Sequence, residues 1–181
     1  MKKTLLTLLT IGIIPSTLTA HSIQTGTIEV TGGTNLSFSS GEIDRNGNDT
    51  DVDSTELSLS GLYYVAPNLG VGLHWEYEST EVGNSDSSET TIGPAFAFNI
   101  PIAPQMSIKP IGYISLVNGE EGTTDYDGTE WGLGVDANYF IRDNISVNAG
   151  ITYSSQDIDI DGGGDYKATG FQTGVGLSVY F

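Results

Sequence analysis

Residues 170–181, GFQTGVGLSVYF, end the chain and show the pattern that decides the fold. From Thr173 onward, alternate positions carry the larger side chains, which are Thr173, Val175, Leu177, Val179 and Phe181. The positions between them carry glycine or serine, with Tyr180 as the exception. Apolar residues at every second position predict a β-strand with one apolar face. Because the pattern continues to the last residue, where chain ends ordinarily fray, we expect this terminus to be built into a sheet.

The first 20 residues have the pattern of an export signal. Two lysines precede an apolar run over residues 5–14, and Ala20 is a small residue at a suitable position for cleavage. The apolar run is shorter than the roughly 20 residues that a membrane-spanning helix needs. The sequence therefore predicts a signal peptide over residues 1–20 and a single exported domain over residues 21–181.

The composition excludes several classes of protein. The chain has 23 Asp and Glu against six Lys and Arg, which gives a formal net charge of −17. Because nucleic-acid binding requires clustered Lys and Arg, we expect no nucleic-acid partner. The chain has no cysteine, so disulfides and thiolate metal sites are excluded.

Eight segments share the period-two pattern and predict an all-β domain. The predicted strands are residues 26–39, 54–65, 69–81, 89–100, 106–117, 129–141, 145–156 and 167–181. The fifth is the least regular, since Pro110 has no amide hydrogen and predicts a bulge or an irregular turn of the strand. Short turn-like links alternate with longer polar links, predicted as loops, at residues 40–53, 82–88, 118–128 and 157–166.

The composition of the second face of the predicted strands, the one without the apolar residues, indicates which face points toward water. This face is rich in glycine and polar residues, and the chain has few of the lysines that cover a soluble protein. We therefore expect the apolar face to point outward into lipid and the other face to line a narrow barrel. The predicted lumenal polar residues are His74, Glu76, Glu78 and Asp136.

Aromatic residues on the apolar face support this orientation, because they fall near strand ends, as in the two aromatic girdles of a membrane barrel. One group is Tyr63, Phe98, Tyr139 and Phe181, and the other is Phe38, Trp75, Tyr77, Trp131, Tyr153 and Phe171. A soluble β-sandwich with these aromatics in its core is the alternative interpretation.

The signal peptide, the eight strands and the terminal phenylalanine together resemble the small eight-stranded outer-membrane β-barrel proteins of Gram-negative bacteria, the group of the OmpA transmembrane domain and OmpX. The resemblance implies an eight-stranded antiparallel up-and-down transmembrane β-barrel in the cell outer membrane, monomeric and in contact with lipid and lipopolysaccharide. It also implies that the barrel assembly machinery reads a C-terminal signal made of Val175, Leu177, Val179 and Phe181.

The last polar link contains a candidate metal site. Its sequence DIDIDGGGD spaces Asp157, Asp159, Asp161 and Asp165 like the start of a calcium-binding loop, and hard cations prefer such oxygens. The twelfth position, where that loop needs an acid, is Ala168. A Ca²⁺ or Mg²⁺ site is one interpretation, and a solvated acidic loop is the other. Weak bridging of these ions to lipopolysaccharide phosphates lies between the two.

A catalytic role is a further possibility that the sequence raises. If Pro67 centres its hairpin, Ser60 falls opposite His74 and Ser58 opposite Glu76, which are residue types used in nucleophilic catalysis. We assign no catalytic residue and no resident cofactor, because the spacing alone does not show a hydrogen-bonded set. Eight strands enclose an interior that side chains fill, so a diffusion pore is not expected.

The function expected from the sequence is therefore a structural or surface-interaction role through acidic extracellular loops, at which divalent cations could bind. An outer-membrane lipid-modifying enzyme is the first alternative, and a soluble secreted β-sandwich binding module is the second.

Overall fold

The computed structural model of the protein describes residues 21–35, 52–82, 85–122, 124–160 and 164–181, almost all of them in strands. The predicted signal peptide, Phe38 and Asp161 lie outside the described residues. No helix within the described ranges is long and apolar enough to cross a membrane.

Nine strands follow one another along the chain. They are β1 (Ile28–Asn35), β2 (Val52–Ala66), β3 (Leu69–Val82), β4 (Ser85–Phe98), β5 (Ile100–Ala103), β6 (Met106–Glu121), β7 (Thr124–Arg142), β8 (Ile145–Ile160) and β9 (Asp165–Tyr180). All pairings are antiparallel, and β1 pairs with β9 while β4 pairs with β6, so the sheet closes on itself. Since β4 and β5 both pair with β6, they form one wall strand, and the closed sheet is the predicted eight-stranded barrel.

Three of the four polar links that we predicted as loops are mostly strand. Strand β6 continues to Glu121 and β7 begins at Thr124, and the two strands stay paired as far as these two residues. Strands β3 and β4 likewise pair as far as Val82 and Ser85, and β8 and β9 pair as far as Asp159 and Asp165. The loop prediction was wrong there because apolar alternation marks only the part of a strand that faces lipid, whereas a strand that continues into water has no need of it. We call this end of the barrel the hairpin end, and the end with the short turns the turn end.

The predicted irregularity at Pro110 is in the neighbouring strand rather than in β6. Pro110 is in register with Val135 of β7, and the β6–β7 ladder has no shift. The wall strand on the other side is interrupted at Asn99, between β4 and β5. A proline cannot donate to a ladder, so it is tolerated where the facing ladder is broken. The prediction of a bulge in this strand was therefore wrong in position.

The two faces of the barrel are inverted relative to those of a soluble protein. Leu73 and Ile114 on the outer face are 59% and 65% exposed, whereas Glu29 inside is 0% exposed. An apolar outer surface around a buried polar interior rules out the soluble sandwich, in which the apolar faces would be buried.

Aromatic side chains border the apolar outer band at both ends. Tyr139 follows Trp131 by eight residues on β7, and both are exposed. At about 3.3 Å per residue and a tilt of about 40°, their levels lie about 20 Å apart along the barrel axis, similar to the apolar band of a membrane barrel. The Tyr153 ring on β8 contacts two other outward rings. Its centroid lies 5.7 Å from that of Trp131 on β7 and 5.1 Å from that of Phe171 on β9.

The segment before β1, residues 21–27, folds over the turn end, and we call it the N-terminal strap. Ile23 of the strap is 3% exposed and packs in a cluster with Leu62, Tyr64, Ala97, Phe140 and Tyr180. The Asn68 side chain accepts a hydrogen bond from the Ile23 amide at 2.8 Å, and the Asn68 amide donates to the Ile23 carbonyl at 2.9 Å. The His21 ring stacks on Phe140 at 3.9 Å. An apolar cluster therefore fills the turn end of the lumen.

Candidate functional site

The polar interior of the barrel is the first candidate site, because it concentrates charged side chains that are out of contact with solvent. The buried polar residues above the strap include Glu29, Glu56, Glu76, Thr91, Ser107, Lys109, Ser115, Glu130 and Asn138. They divide into two layers along the barrel axis, and the two layers differ in how their carboxylates are held.

The layer next to the strap is built around Lys109. Its ammonium lies 2.7 Å from Glu29 Oε1 and 3.6 Å from Asp136 Oδ2. Tyr64 donates a hydrogen bond to the other oxygen of Glu29 at 2.6 Å, and Thr31 donates to Oε1 at 2.9 Å. Two carboxylates thus share one buried cation, so each carboxylate of this layer has a positive charge beside it.

In the layer toward the hairpin end, Glu89 and Glu130 accept hydrogen bonds from neutral donors. Tyr113 donates to Glu130 Oε1 at 2.6 Å, and Gln156 donates to Glu130 Oε2 at 3.2 Å. Gln156 also donates to Glu89, whose other oxygen accepts from Tyr126 at 3.1 Å. The hydrogen bonds to Glu89 and Glu130 therefore orient these carboxylates without neutralising them.

His74 lies at the boundary between the layers. Its ring stacks on Tyr113 with centroids 4.4 Å apart, and its Nε2 is 3.5 Å from Glu76 Oε2. Ser60 is directly opposite His74 and Ser58 directly opposite Glu76, as the hairpin prediction required. However, Nε2 is buried and has no hydrogen-bond partner among the described residues. A Ser–His hydrogen bond through Nε2 is therefore not formed.

Two cavities lie inside the barrel and meet at Glu76 and Gln172. The inner one has a volume of about 100 Å³ and is bordered by Ser60, His74, Tyr113 and Asp136, among others. The outer one, of about 240 Å³, lies toward the hairpin end and is bordered by Glu76, Glu78, Glu89, Glu130, Gln156 and Gln172. All four predicted lumenal residues, His74, Glu76, Glu78 and Asp136, therefore border these cavities.

A second acidic feature lies on the outer surface, beyond the aromatic cluster of Trp131. We call it the acidic collar, and it consists of the exposed residues Glu120, Asp125, Asp127, Asp157 and Asp159. Within it Asp127 is directly opposite Asp159, and Glu120 is directly opposite Asp125. Lys167 forms an ion pair with Asp157 at 3.0 Å. A surface depression of about 450 Å³ is bordered by Asp127, Asp157, Asp159 and Lys167.

Two of the four predicted metal residues belong to this collar. Asp157 and Asp159 belong to it, Asp165 has its backbone opposite Asp159, and Asp161 is outside the described residues. Within the part of the chain that the structure describes, His, Asp and Glu side chains form no cluster of three or more suited to a metal ion. A site completed by Asp161 remains a prediction.

The predicted assembly signal lies on the outer surface at the barrel seam. Val175 and Leu177 are both 47% exposed and Phe181 is 75% exposed. The Phe181 amide donates to the Ile28 carbonyl at 2.9 Å, and the Ile28 amide donates to the Phe181 carbonyl at 3.1 Å. The C-terminus is thus built into the sheet, as the sequence predicted. The structure shows that it pairs with β1 and presents its apolar side chains outward.

Sequence reasoning did not single out several residues of the lumen. These are Lys109, Tyr113, Glu89, Glu130 and Gln156. The period-two rule that placed His74 inside also places them inside, because each alternates with outward apolar residues of its own strand. Their contacts depend on which strands meet across the lumen, and that information is not local.

Comparisons with known proteins agree with this architecture. The family model described as outer membrane protein beta-barrel domain matches residues 6–178 of the chain. A search of curated proteins found no match.

Solved structures with the same fold share little sequence with this chain. Neisserial surface protein A is 14% identical to this chain and superposes with a TM-score of 0.62. The match covers 87% of this chain and 98% of that protein. The outer membrane protein OprG from Pseudomonas aeruginosa is 12% identical with a TM-score of 0.54, covering 91% and 99%. A major outer membrane protein from Thermus thermophilus is 13% identical with a TM-score of 0.53, covering 86% and 99%. At such identities the likeness concerns the fold, and together with the family match it shows that the chain belongs to the outer membrane β-barrel protein family.

Proposed function

We propose that this outer-membrane barrel is a non-conducting, structural protein that interacts with its surroundings through the acidic collar. In this proposal the hairpin end faces the cell exterior, and Mg²⁺ or Ca²⁺ bridges the collar to lipopolysaccharide phosphates. The pair Asp127 and Asp159 is the observation that carries the proposal.

The filled lumen argues against transport as the main role. The strap cluster around Ile23 occupies the turn end, and the Lys109 layer lies directly above it. An eight-stranded barrel has an interior about wide enough for side chains, and here large side chains occupy it. A role at the outer surface is therefore favoured over solute diffusion.

The collar has a charge arrangement that a bound cation would relieve. Like charges directly opposite on antiparallel strands destabilise the pairing, and Asp127 with Asp159 is such a pair. Both residues are exposed and lie just beyond Trp131, the level at which a membrane barrel meets the headgroups. Carboxylates and phosphates are both hard oxygen ligands that divalent cations bridge.

The test measures thermal unfolding of the full chain in vesicles that contain lipopolysaccharide. The heat-dependent shift in gel migration reports the unfolded fraction at each temperature. We expect removal of Mg²⁺ with EDTA to lower the unfolding temperature by about 2–4 °C, and the Asp127→Asn/Asp159→Asn variant to lose this response. Asp143→Asn, in a turn at the opposite end, is the matched control and keeps the response. An equal response in vesicles without lipopolysaccharide, or in the collar variant, would refute the bridging role.

The lipid-modifying enzyme is the alternative function, and it rests on Ser60 facing His74. The proposal predicts that His74→Ala leaves the lipid A mass spectrum of the expressing cells unchanged. A change in acylation that depends on both Ser60 and His74 would favour the enzyme instead.

A further inference from the structure

We propose that the N-terminal strap is a latch, which docks after the barrel has closed and whose release limits the rate at which the barrel unfolds. The latch lies at the turn end and the acidic collar at the hairpin end, so the two can be tested apart.

The surface on which the strap docks is assembled from strands around the barrel. Ile23 packs in a cluster whose other members are Leu62 and Tyr64 of β2, Ala97 of β4, Phe140 of β7 and Tyr180 of β9. These strands lie on both sides of the seam between β1 and β9. His21, at the start of the strap, stacks on Phe140. A partly formed sheet holds these side chains apart, so the strap can dock only after closure.

A turn at Gly26 directs the strap back over the lumen. Gly26 has a φ of 90°, a backbone conformation that other residues rarely adopt. The Thr27 amide donates to the Gln24 carbonyl at 3.3 Å, which closes the turn. The Gly26 amide donates to the Tyr64 carbonyl at 2.8 Å, and the Tyr64 amide donates to the Thr27 carbonyl at 2.9 Å. The turn is therefore fixed to β2, and residues 21–25 form an arm beyond it.

Two asparagines hold this arm against the barrel. Asn68, in the turn between β2 and β3, accepts a hydrogen bond from the Ile23 amide and donates one to the Ile23 carbonyl. Asn99, at the interruption between β4 and β5, donates to the His21 carbonyl at 3.4 Å. Asn68 has a φ of 65° and is the one non-glycine residue with a positive φ in the described ranges. A strained backbone at the residue that binds the strap indicates that this turn is shaped for docking.

Release of the arm requires no wall strand to separate. Ile23 is buried, whereas Ser22, Gln24 and Thr25 are exposed, so the arm is a single layer with water on its outer side. Undocking breaks the hydrogen bonds to the two asparagines and exposes Ile23, while β1 stays paired with β2 and β9. Local openings of this kind cost less free energy than global unfolding.

Tyr64 connects the strap to the buried ion pair. Its side chain belongs to the strap cluster and is 0% exposed, and its hydroxyl donates to Glu29, which binds Lys109. When the strap leaves, water reaches Tyr64 and then the charged layer behind it. Buried charges gain solvation when water reaches them, which favours separation of the strands that hold them. A docked strap therefore slows unfolding from the turn end.

The experiment compares refolding and unfolding rates in lipid vesicles after jumps in urea concentration, with the heat-dependent gel shift as the readout. We expect Ile23→Ala to unfold about 30-fold faster or more, because a buried side chain is lost. It should refold within about threefold of the wild-type rate, because the strap is undocked in the transition state. Asn68→Gly keeps the left-handed backbone and removes the acceptor of the Ile23 amide, so it should unfold about two- to tenfold faster with refolding unchanged.

The matched control is Asn144→Gly, the same exchange in the turn between β7 and β8, away from the hydrogen bonds of the strap. It should unfold within about threefold of the wild-type rate. An effect of Ile23→Ala that falls mainly on refolding, or wild-type unfolding rates for both strap variants, would overturn the latch. If Ile23→Ala does not fold, Asn68→Gly alone decides between these outcomes.

Hydrogen exchange of the folded protein separates a latch from a contact that stabilises the whole barrel. In Asn68→Gly, we expect peptides that contain Tyr64 to exchange about two- to tenfold faster, and peptides that contain Trp131, near the hairpin end, to exchange at the wild-type rate. Equally faster exchange at both would overturn the latch. All these measurements are made without lipopolysaccharide, so they are independent of the EDTA response of the collar.

Discussion

Lys109 and Glu29, eighty residues apart in the chain, form an ion pair of 2.7 Å inside the barrel, where Glu29 is 0% and Lys109 2% exposed. The pair joins β6 to β1 across the lumen, directly above the apolar cluster of the strap. Burying two charges costs desolvation energy that their attraction roughly offsets, so the pair matters most when one partner is removed.

Removal of Lys109 tests this layer. Lys109→Met leaves Glu29 and Asp136 buried without their shared cation, and we expect the free energy of unfolding to fall by about 3–5 kcal/mol. Urea unfolding in lipid vesicles, followed by tryptophan fluorescence, measures the change. Lys167→Met is the control: its pair with Asp157 is exposed, so its loss costs about 0–1 kcal/mol. Equal effects of the two substitutions would contradict the buried role of Lys109.

A variant in which both charged side chains of the Lys109–Glu29 pair are replaced by neutral ones is a separate test. Lys109→Met combined with Glu29→Gln removes the cation and one anion together, so less uncompensated charge stays buried. We expect the double variant to recover part of the stability lost by Lys109→Met alone, and the double-mutant cycle to give a coupling of about 1 kcal/mol or more. Additive effects in the same urea titrations would show that the two side chains are not coupled.

The N-terminal strap is expected to stabilise the turn end. Ile23→Ala creates a cavity in a cluster that excludes solvent, and we expect a loss of about 2–5 kcal/mol in the same unfolding assay. Ile28→Ala is the matched control, because that side chain is 47% exposed on the outer face, where lipid fills the vacated space. If Ile23→Ala does not measurably lower the free energy of unfolding, the strap does not contribute to stability.

Two neighbouring glycines are expected to differ sharply in their tolerance of a side chain. A Cβ on Gly72 would overlap the backbone of Gly61 and Leu62 on the adjacent strand, whereas a Cβ on Gly61 would meet nothing within 4 Å. Gly72→Ala should therefore greatly reduce the fraction of chain that shows the heat-dependent gel shift, while Gly61→Ala folds normally. Normal folding of Gly72→Ala would show that β2 and β3 separate more easily than this contact implies.

Two changes at Phe181 distinguish a role as an assembly signal from a role as a structural contact. Its side chain is 75% exposed while its backbone pairs with Ile28, so Phe181→Ala keeps the backbone bonds and deletion of the residue removes them. We expect Phe181→Ala to refold in vitro like the wild type and to accumulate poorly in the outer membrane of cells. Deletion should impair both. If Phe181→Ala reaches the membrane at the wild-type level, the side chain is not read during assembly.

Local alternation was sufficient to predict the strands and their faces. The outward positions of Val175 and Leu177 and the register of Ser60 with His74 both follow from a period of two and from the position of one turn. The same rule failed at the hairpin end, where β6 continues to Glu121, because exposed strand and loop have similar polar composition. At Pro110 the missing amide hydrogen was interpreted correctly, but the break lies in the neighbouring strand at Asn99.

By itself, the sequence determined that this chain forms an inverted barrel, since side-chain alternation and aromatic positions are properties of neighbouring residues. Tertiary structure alone decided which lumenal groups meet. Lys109 reaches Glu29, Gln156 bridges Glu89 to Glu130, and His74 stacks on Tyr113. Each contact joins residues from distant parts of the chain. The physical reason is that alternation places a side chain inside the barrel, whereas closure and strand stagger set which side chains it faces across the lumen.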